Sequence, residues 1–179
     1  NMLKVYITDL SAYNQGFLEG KWVDLSISEE ELSNEIKEVL ENGAKVCKET
    51  NHEEYFITDY EFETEYKLFK VEEYSNVYEL RNRVEELEML SDEDLKRVSY
   101  LIDYLSYKFE EALEKYEDVT IYENMTLKDV VEQYIDETVD FSNIPEIIAN
   151  NIDYDSIARD WEISGEFDSI DGDVYHYVN

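Results

Sequence analysis

Carboxylates dominate the side chains of this chain that could do chemistry. The sequence contains 46 Asp and Glu residues against 15 Lys and Arg, which gives a formal net charge of −31 at pH 7. Two carboxylates that flank a scissile bond can act as acid and base in a hydrolase. With 46 of them, chance pairs are guaranteed, so their spacing identifies no catalytic pair. The charge as a whole is therefore the more informative feature.

Patterns for other catalysis and for metal binding are missing from the sequence. The only histidines, His52 and His176, lack the spacing of a zinc-binding pair. The single cysteine, Cys47, has no evident base partner, and no phosphate loop or nucleophile elbow occurs. The acidic turn that begins at Asp168 fails as a calcium loop, because its twelfth position is Asn179 rather than glutamate. We therefore predict no enzyme, no catalytic residue, no metal and no cofactor, with a small acid-dependent hydrolase as a distant alternative.

The charge itself suggests a partner. A strongly negative surface repels nucleic acid and anionic membranes and attracts basic proteins over long distances. Duplex DNA carries one charge per ~1.7 Å of axis, so 31 net charges match roughly 53 Å, or about 15 base pairs. Lysines and arginines that bind phosphate accept carboxylates in the same way. The hypothesis is that the chain imitates DNA towards a basic groove, and a generic acidic protein tuned for solubility is the alternative.

The elements that must position these charges begin with a small sheet. Residues 3–9 alternate between apolar and polar, which predicts a half-buried strand. A second strand is predicted at 17–25, with a bulge at Gly20, and a third at 54–61. With the helix that follows the second strand, these strands form a predicted β-β-α-β unit.

Helical patterns follow the second strand and fill the middle of the chain. Ser28 and Glu31 have the spacing of a capping box, and Gly43 is placed to end the helix that they begin. Two amphipathic helices are predicted at 77–90 and 91–113. The last third returns to mixed structure. Its predicted elements are a strand at 119–121, helices that begin after Thr126 and Asp153, a helix whose first residue is Pro145, and a hairpin of 161–167 with 173–178 across Asp171 and Gly172.

The sequence also predicts the cellular compartment of the protein. No stretch approaches the ~20 apolar residues of a membrane helix. The strand pattern starts at once, so we expect no signal peptide, and a lone cysteine fits a reducing compartment. We therefore expect a cytoplasmic protein without membrane contact.

Acid is spread unevenly over three segments. Residues 3–61, 62–115 and 116–179 are the predicted domains, in order mixed α+β, helical and mixed α+β. Residues 1–61 hold 14 acids and 5 bases, residues 62–115 hold 15 and 8, and residues 116–179 hold 17 and only 2. The predicted fold class is therefore α+β, as a chain of three small domains with the most anionic one last.

Three motifs of the sequence lie in the opening strands, in the third strand and near the C-terminal end. They are VYITDL from residue 5 with YNQG from 13 and GKWV from 20, EEYFITDYE from 53, and NIDY from 151 with ARD from 158 and SG from 164. Together these motifs resemble the ArdA-type antirestriction proteins of mobile genetic elements. Asp9 stands where that family has asparagine, and Trp161 where it has leucine.

The resemblance implies both a shape and an activity. It implies an elongated three-domain α+β protein that dimerises through its C-terminal domain. It also implies inhibition of type I restriction–modification enzymes by imitation of bent duplex DNA, with the family's antirestriction motif at about residues 143–160. The expected partner is the basic cleft of the methyltransferase and specificity subunits, and no direct binding to nucleic acid is expected. Another basic DNA-binding protein, such as a nucleoid protein or a nuclease, is the alternative partner.

Candidate residues for these contacts lie in the most anionic third. The carboxylates expected to bind the partner are Glu123, Asp129, Glu132, Asp136, Glu137, Asp140 and Glu146. Asp129 is also expected to cap the helix that follows Thr126, and a run of charge is often only a solvated face. The candidates for the dimer contact are Ile144, Ile147 and Ile148, with an ordinary core as the alternative. The binding energy is expected to be spread over many acids, so single reversals should matter little.

Overall fold

The structure is a computed structural model that describes residues 1–179. The chain divides into two compact units, Asn1–Leu95 and Lys96–Asn179. Helices accompany a three-stranded sheet in each unit, which confirms the predicted α+β class. The division into three domains stays a prediction.

The first unit contains six elements, and a seventh crosses the boundary. They are β1 (Leu3–Asp9), α1 (Leu10–Asn14), β2 (Gly20–Asp24), α2 (Glu29–Cys47), β3 (Tyr55–Phe62), α3 (Val77–Glu88) and, across the boundary, α4 (Asp92–Asp103). The second unit continues with α5 (Phe109–Lys115), β4 (Thr120–Tyr122), α6 (Leu127–Thr138), α7 (Glu146–Ala149), α8 (Tyr154–Ser164), β5 (Phe167–Ile170) and β6 (Asp173–His176). None of these helices is both long enough and apolar enough to cross a membrane.

The first sheet is antiparallel with strand order β2-β1-β3, and α2 packs against it. The predicted strand at 3–9 and the β-β-α-β order are confirmed, with α1 as a short insertion. Leu3, Val5 and Ile7 are fully buried. The bulge predicted at Gly20 is wrong, because the register shift lies between Tyr6 and Ile7, opposite β3. Gly20 opens β2 instead, where a Cβ would collide with the Ile7 carbonyl and the Tyr6 ring.

Helix α2 starts as predicted but ends later. The Ser28 hydroxyl accepts from the Glu31 backbone, and the Glu31 carboxylate accepts from the Ser28 backbone N–H, which confirms the capping box. The predicted end at Gly43 is wrong, since the helix continues to a left-handed cap at Lys48 with φ 57°. Gly43 instead allows the Asp9 carboxylate to pack against α2, because a Cβ at this position would collide with that carboxylate.

The predicted helix at 91–113 is two helices. Ser91 caps α4 as expected, with its hydroxyl accepting from the Asp94 backbone. The chain then breaks between α4 and α5, where Ser106 takes a left-handed conformation with φ 60° and the Tyr107 N–H donates to the Leu101 carbonyl. A continuous apolar stripe did not reveal this break, because both helices bury residues that keep the same period.

The second sheet has strand order β4-β6-β5. Its hairpin turns at Asp171 and Gly172, both with positive φ, which confirms the predicted turn. The prediction that this strand begins at Trp161 is wrong, because α8 continues to Ser164 and ends at Gly165, which has a left-handed conformation. The Asp153 cap and the helical spacing of Ile157 and Trp161 carry the helix through this stretch.

Burial differs along the chain. Each unit has a core of aliphatic side chains, and that of the second unit includes Leu101, Val119, Val130, Val131 and Val174. No residue from 132 to 173 is buried. This segment includes most of α6 and all of α7, α8 and β5. We refer to residues 132–173 as the coreless segment.

Candidate functional site

Four of the predicted partner-binding acids lie on α6. Its apolar side buries Val130 and Val131. Asp129, Glu132 and Asp136 follow one another at intervals of three and four residues, so they line up on the opposite side of the helix. Glu137 directly follows Asp136 and lies about 100° around the helix from it, towards the side of Val130. Asp129, Asp136 and Glu137 are exposed and Glu132 is half-buried. We refer to these four residues as the α6 acidic stripe.

The other three predicted acids lie at the ends of neighbouring elements, and all three are exposed. Glu123 is in the turn after β4. Asp140 caps a short 3-10 helix at Phe141–Asn143, and Glu146 is the first residue of α7. The seven predicted carboxylates thus lie on α6 and α7 or in the segments that directly precede these helices.

Two of these carboxylates are held ionised by local hydrogen bonds. The Asp129 carboxylate accepts from the Thr126 backbone N–H at 2.8 Å, and this capping box lowers the pKa of Asp129. The expectation that Asp129 caps this helix is confirmed. The Asp140 carboxylate accepts from the Ser142 hydroxyl at 2.6 Å and from the Ser142 backbone, which lowers the pKa of Asp140. Both groups therefore stay negative well below neutral pH.

Few cations oppose this charge. Lys128 and Arg159 are the only basic residues after residue 115. Lys128 forms an exposed ion pair with Asp155 at 3.2 Å. None of the seven predicted acids forms an ion pair within the chain. The surface around α6 is therefore open to an external cation.

The three isoleucines predicted to form a dimer contact lie on or just before α7. Ile147 is 75% exposed and Ile148 is 57% exposed, whereas Ile144 is half-buried. The core alternative fails for Ile147 and Ile148 in a single chain, because neither side chain is covered. Their role in a dimer stays a prediction.

Sequence reasoning missed further exposed apolar residues nearby. Ile163 on α8 is 77% exposed and Tyr134 on α6 is 53% exposed. Ile163 lies outside the apolar stripe formed by Ile157, Ala158 and Trp161. With α8 predicted at full length, the helical period would therefore have predicted that Ile163 is exposed. The mistaken strand at 161–167 hid this signal.

An aromatic column joins the elements of the coreless segment. Tyr134 contacts Trp161 edge to face at 5.2 Å between centroids. Trp161 stacks on Phe167 at 4.8 Å, and Phe167 stacks on His176 at 4.2 Å. The column links α6, α8, β5 and β6. Half-exposed rings thus replace a buried core as the packing of this region.

A buried polar cluster in the first unit was also missed. His52 and Asp9 are both buried, and the His52 Nδ1 lies 2.7 Å from the Asp9 carboxylate. The His52 Nε2 lies 2.5 Å from Glu49, and the Asp9 carboxylate also accepts from the Ala12 backbone. The hydrogen bond that His52 donates to the Asp9 carboxylate raises the pKa of His52 against the effect of burial. Two carboxylates hold this ring, so its role is structural.

The remaining candidates for chemistry have ordinary structural places. Burial, together with the nearby charges of Glu49 and Asp9, raises the pKa of the Cys47 thiol, which disfavours the nucleophilic thiolate. Asp173, in the acidic turn considered for calcium, accepts from the Asn124 backbone at 2.8 Å. No group of three or more His, Cys, Asp or Glu side chains is arranged to hold a metal ion.

The three sequence motifs fall on defined elements. The first spans β1, α1 and β2, the second forms β3, and the third covers the loop before α8 and α8 itself. In comparisons with known proteins, a family model described as "Antirestriction protein (ArdA)" matches residues 5–176. No curated protein matches the chain.

Proposed function

The chain belongs to the ArdA family of antirestriction proteins, and on that premise we propose that it mimics duplex DNA and occupies the DNA-binding groove of a type I restriction–modification enzyme. The observation that carries the proposal is the α6 acidic stripe, whose carboxylates are largely exposed and form no ion pair within the chain. A groove lined with lysine and arginine to bind phosphates would accept these carboxylates.

The spacing of the stripe supports imitation of a phosphate backbone. Four carboxylates between Asp129 and Glu137 span about 12 Å of helix axis, because an α-helix rises ~1.5 Å per residue. That is one charge per about 4 Å. One strand of duplex DNA carries a charge per ~3.4 Å of axis. The helix therefore offers a charge density close to that of a single DNA strand.

The net charge supports a contact wider than one helix. The chain carries a formal charge of −31, enough to match roughly 15 base pairs at ~1.7 Å per charge. A surface of this kind steers a basic partner and binds it through many weak ionic contacts. The binding free energy is thus distributed, with Glu123, Asp140 and Glu146 extending the contact beyond the stripe.

The exposed isoleucines support a second part of the proposal. Ile147 and Ile148 are uncovered, and the coreless segment buries none of its own residues. Exposed apolar surface of this kind marks an interface. We place the contact between two copies of the chain at Ile144, Ile147 and Ile148, so that a dimer presents two acidic surfaces to the enzyme.

The partner within the enzyme is the methyltransferase with its specificity subunits, which together hold the target duplex. A different basic DNA-binding protein of the cytoplasm, such as a nucleoid protein or a nuclease, is the second candidate. The negative charge favours both partners equally, and only the family favours the first.

The test is a titration of the protein against a type I methyltransferase that holds a labelled duplex, at low and at high salt. The expected result is displacement of the duplex at low salt and steep weakening as salt rises, because many ionic contacts are involved. A folded protein that displaces nothing at any ratio contradicts the proposal. The same titration with a histone-like nucleoid protein then tests the second candidate.

A further inference from the structure

The outer face of the first sheet is covered at its Thr8 end and carries two aromatic side chains in the next row. α2 covers the side on which the buried residues of β1 lie, so Tyr6 points to the other side. Trp22 of β2 is the direct cross-strand partner of Tyr6. Their rings meet edge to face, with centroids 5.4 Å apart, and Trp22 is 44% exposed. A large indole is therefore displayed on this face of the sheet.

The backbone fixes these rings in place. Gly20 precedes Trp22 by two residues on the same side of β2, and a Cβ at Gly20 would collide with the Tyr6 ring. The Tyr6 ring thus lies over Gly20 and supports Trp22. A ring pair that is ordered before binding loses little entropy when a partner arrives.

Carboxylates border the ring pair on both outer strands. Asp59 of β3 is the cross-strand partner of Tyr6, and Asp24 and Glu61 flank Lys4 in the next row. Lys4 is the single cation of this face, and its ammonium is bound by the Glu63 carboxylate. We define the aromatic face as Tyr6, Trp22, Asp24, Asp59 and Glu61.

A second aromatic group adjoins this face. Phe56 is the cross-strand partner of Thr8, in the next row after Tyr6. The Phe56 ring contacts Tyr13 at 5.2 Å and Tyr74 at 6.1 Å between centroids, and Tyr13 and Tyr74 are 47% and 72% exposed. Phe56 itself is 7% exposed, so the exposed aromatic surface of this group consists of Tyr13 and Tyr74.

From this arrangement we infer that the aromatic face is a docking surface for arginine side chains of the basic partner, separate from the α6 acidic stripe. The identity of that partner rests on the proposed function. A guanidinium stacks on an indole and bonds a carboxylate with two parallel N–H groups, which a lysine ammonium does not do. Trp22 provides the ring, Asp24 lies two residues further along β2, and Asp59 lies on the other side of Tyr6 on β3. The face thus adds arginine selectivity to an otherwise general attraction for positive charge.

The first experiment measures the concentration of protein that displaces half of a labelled duplex from a type I methyltransferase. Trp22→Ala is expected to raise this concentration about tenfold, and Trp22→Phe by less, because a phenyl ring keeps part of the cation–π attraction. Met89→Ala is the matched control, since Met89 is 80% exposed in the same unit but lies outside the face. Equal displacement by Trp22→Ala and the unsubstituted protein would overturn the inference.

A second experiment separates failure of the inference from failure of the proposed function. In a Trp161→Phe background, Trp22 is the only tryptophan, and its fluorescence is followed during titration with tetra-arginine and with tetra-lysine. Stronger quenching by tetra-arginine that is lost in Asp59→Asn supports the face even if the methyltransferase is not the partner. Equal responses to both peptides contradict it. Loss of self-association in Trp22→Ala by light scattering would instead assign the face to a second copy of the chain and also overturn the inference.

Discussion

The first unit and the coreless segment achieve order in different ways. The first unit buries Leu3, Val5 and Ile7 completely against α2. The coreless segment buries nothing and relies on a column of half-exposed rings from Tyr134 to His176. Helices and strands are present in both. Secondary structure alone therefore does not tell which part of the chain is self-sufficient.

The difference also separates two kinds of constraint. In the first unit, side-chain shape decides the fold, as Gly20 and Gly43 demonstrate by leaving room for Tyr6 and Asp9. In the coreless segment, side chains point mainly to solvent and charge is the dominant property. We expect substitutions of buried residues in the first region to change stability and those in the second region to change binding.

The largest expected effect is on the stability of the first unit. Leu3→Ala should lower the free energy of unfolding by about 3 kcal/mol, because a fully buried leucine is lost and a cavity remains. Urea unfolding followed by circular dichroism measures the change. Leu18→Ala is the control, since Leu18 is 81% exposed and its loss should cost less than about 0.5 kcal/mol. Similar losses for both variants would mean that burial does not decide stability in the first unit.

Neutralising the α6 acidic stripe should affect binding more than stability. The triple variant Glu132→Gln, Asp136→Asn and Glu137→Gln should weaken duplex displacement by about 100-fold, because three ionic contacts disappear together. A second triple variant, with the exposed Glu30, Glu41 and Glu53 each changed to Gln, alters the net charge equally. It should weaken displacement much less. Equal weakening would mean that net charge acts without regard to position.

Ile147→Asp should abolish self-association while leaving the fold intact. Ile147 is 75% exposed, so an aspartate meets no buried surface within one chain but opposes an apolar contact between two. Light scattering over a range of concentrations measures the mass. Ile163→Asp is informative beside it, because Ile163 is equally exposed on α8. A dimer that survives Ile147→Asp but not Ile163→Asp would move the interface to α8.

The smallest expected effect is a pH dependence confined to the first unit. The pKa of His52 is raised in the folded state, chiefly by Asp9, so the folded chain binds a proton more tightly than the unfolded chain. The resulting stability is fully present below the ordinary pKa of about 6.5 and is lost as pH rises through the raised value. Unfolding free energies from pH 6 to 9 should therefore decline, and His52→Gln should flatten this decline. A His176→Gln control that flattens it equally would assign the effect to the other unit.

Much of the fold could be predicted because its signals are local. The Ser28 and Thr126 caps, the β1 alternation and the Asp171–Gly172 turn each depend on a few adjacent residues, and all are present. The errors arose where tertiary contacts decide. The sequence predicts a helix end at Gly43, but Gly43 lies inside α2 and faces Asp9, which is distant in sequence. The break near Ser106 likewise leaves no mark on the apolar period.

The candidate site divides in the same way. The Thr126 cap predicts the helix that carries Asp129, Glu132 and Asp136, and this helix is α6. Exposure of Ile147 could not be read from sequence, because an isoleucine near a helix start has the same pattern whether or not another element covers it. The pairing of His52 with Asp9 joins residues 43 positions apart and required the fold.

The coreless segment has a consequence for how this protein can change over generations. A substitution at an exposed position commonly alters stability by less than about 0.5 kcal/mol, so changes at the exposed positions between residues 132 and 173 would seldom endanger folding. Selection on that stretch then acts on charge and partner fit almost alone. Such a surface can accumulate substitutions and adapt to a partner whose own sequence changes, while the buried residues of the first unit maintain the fold.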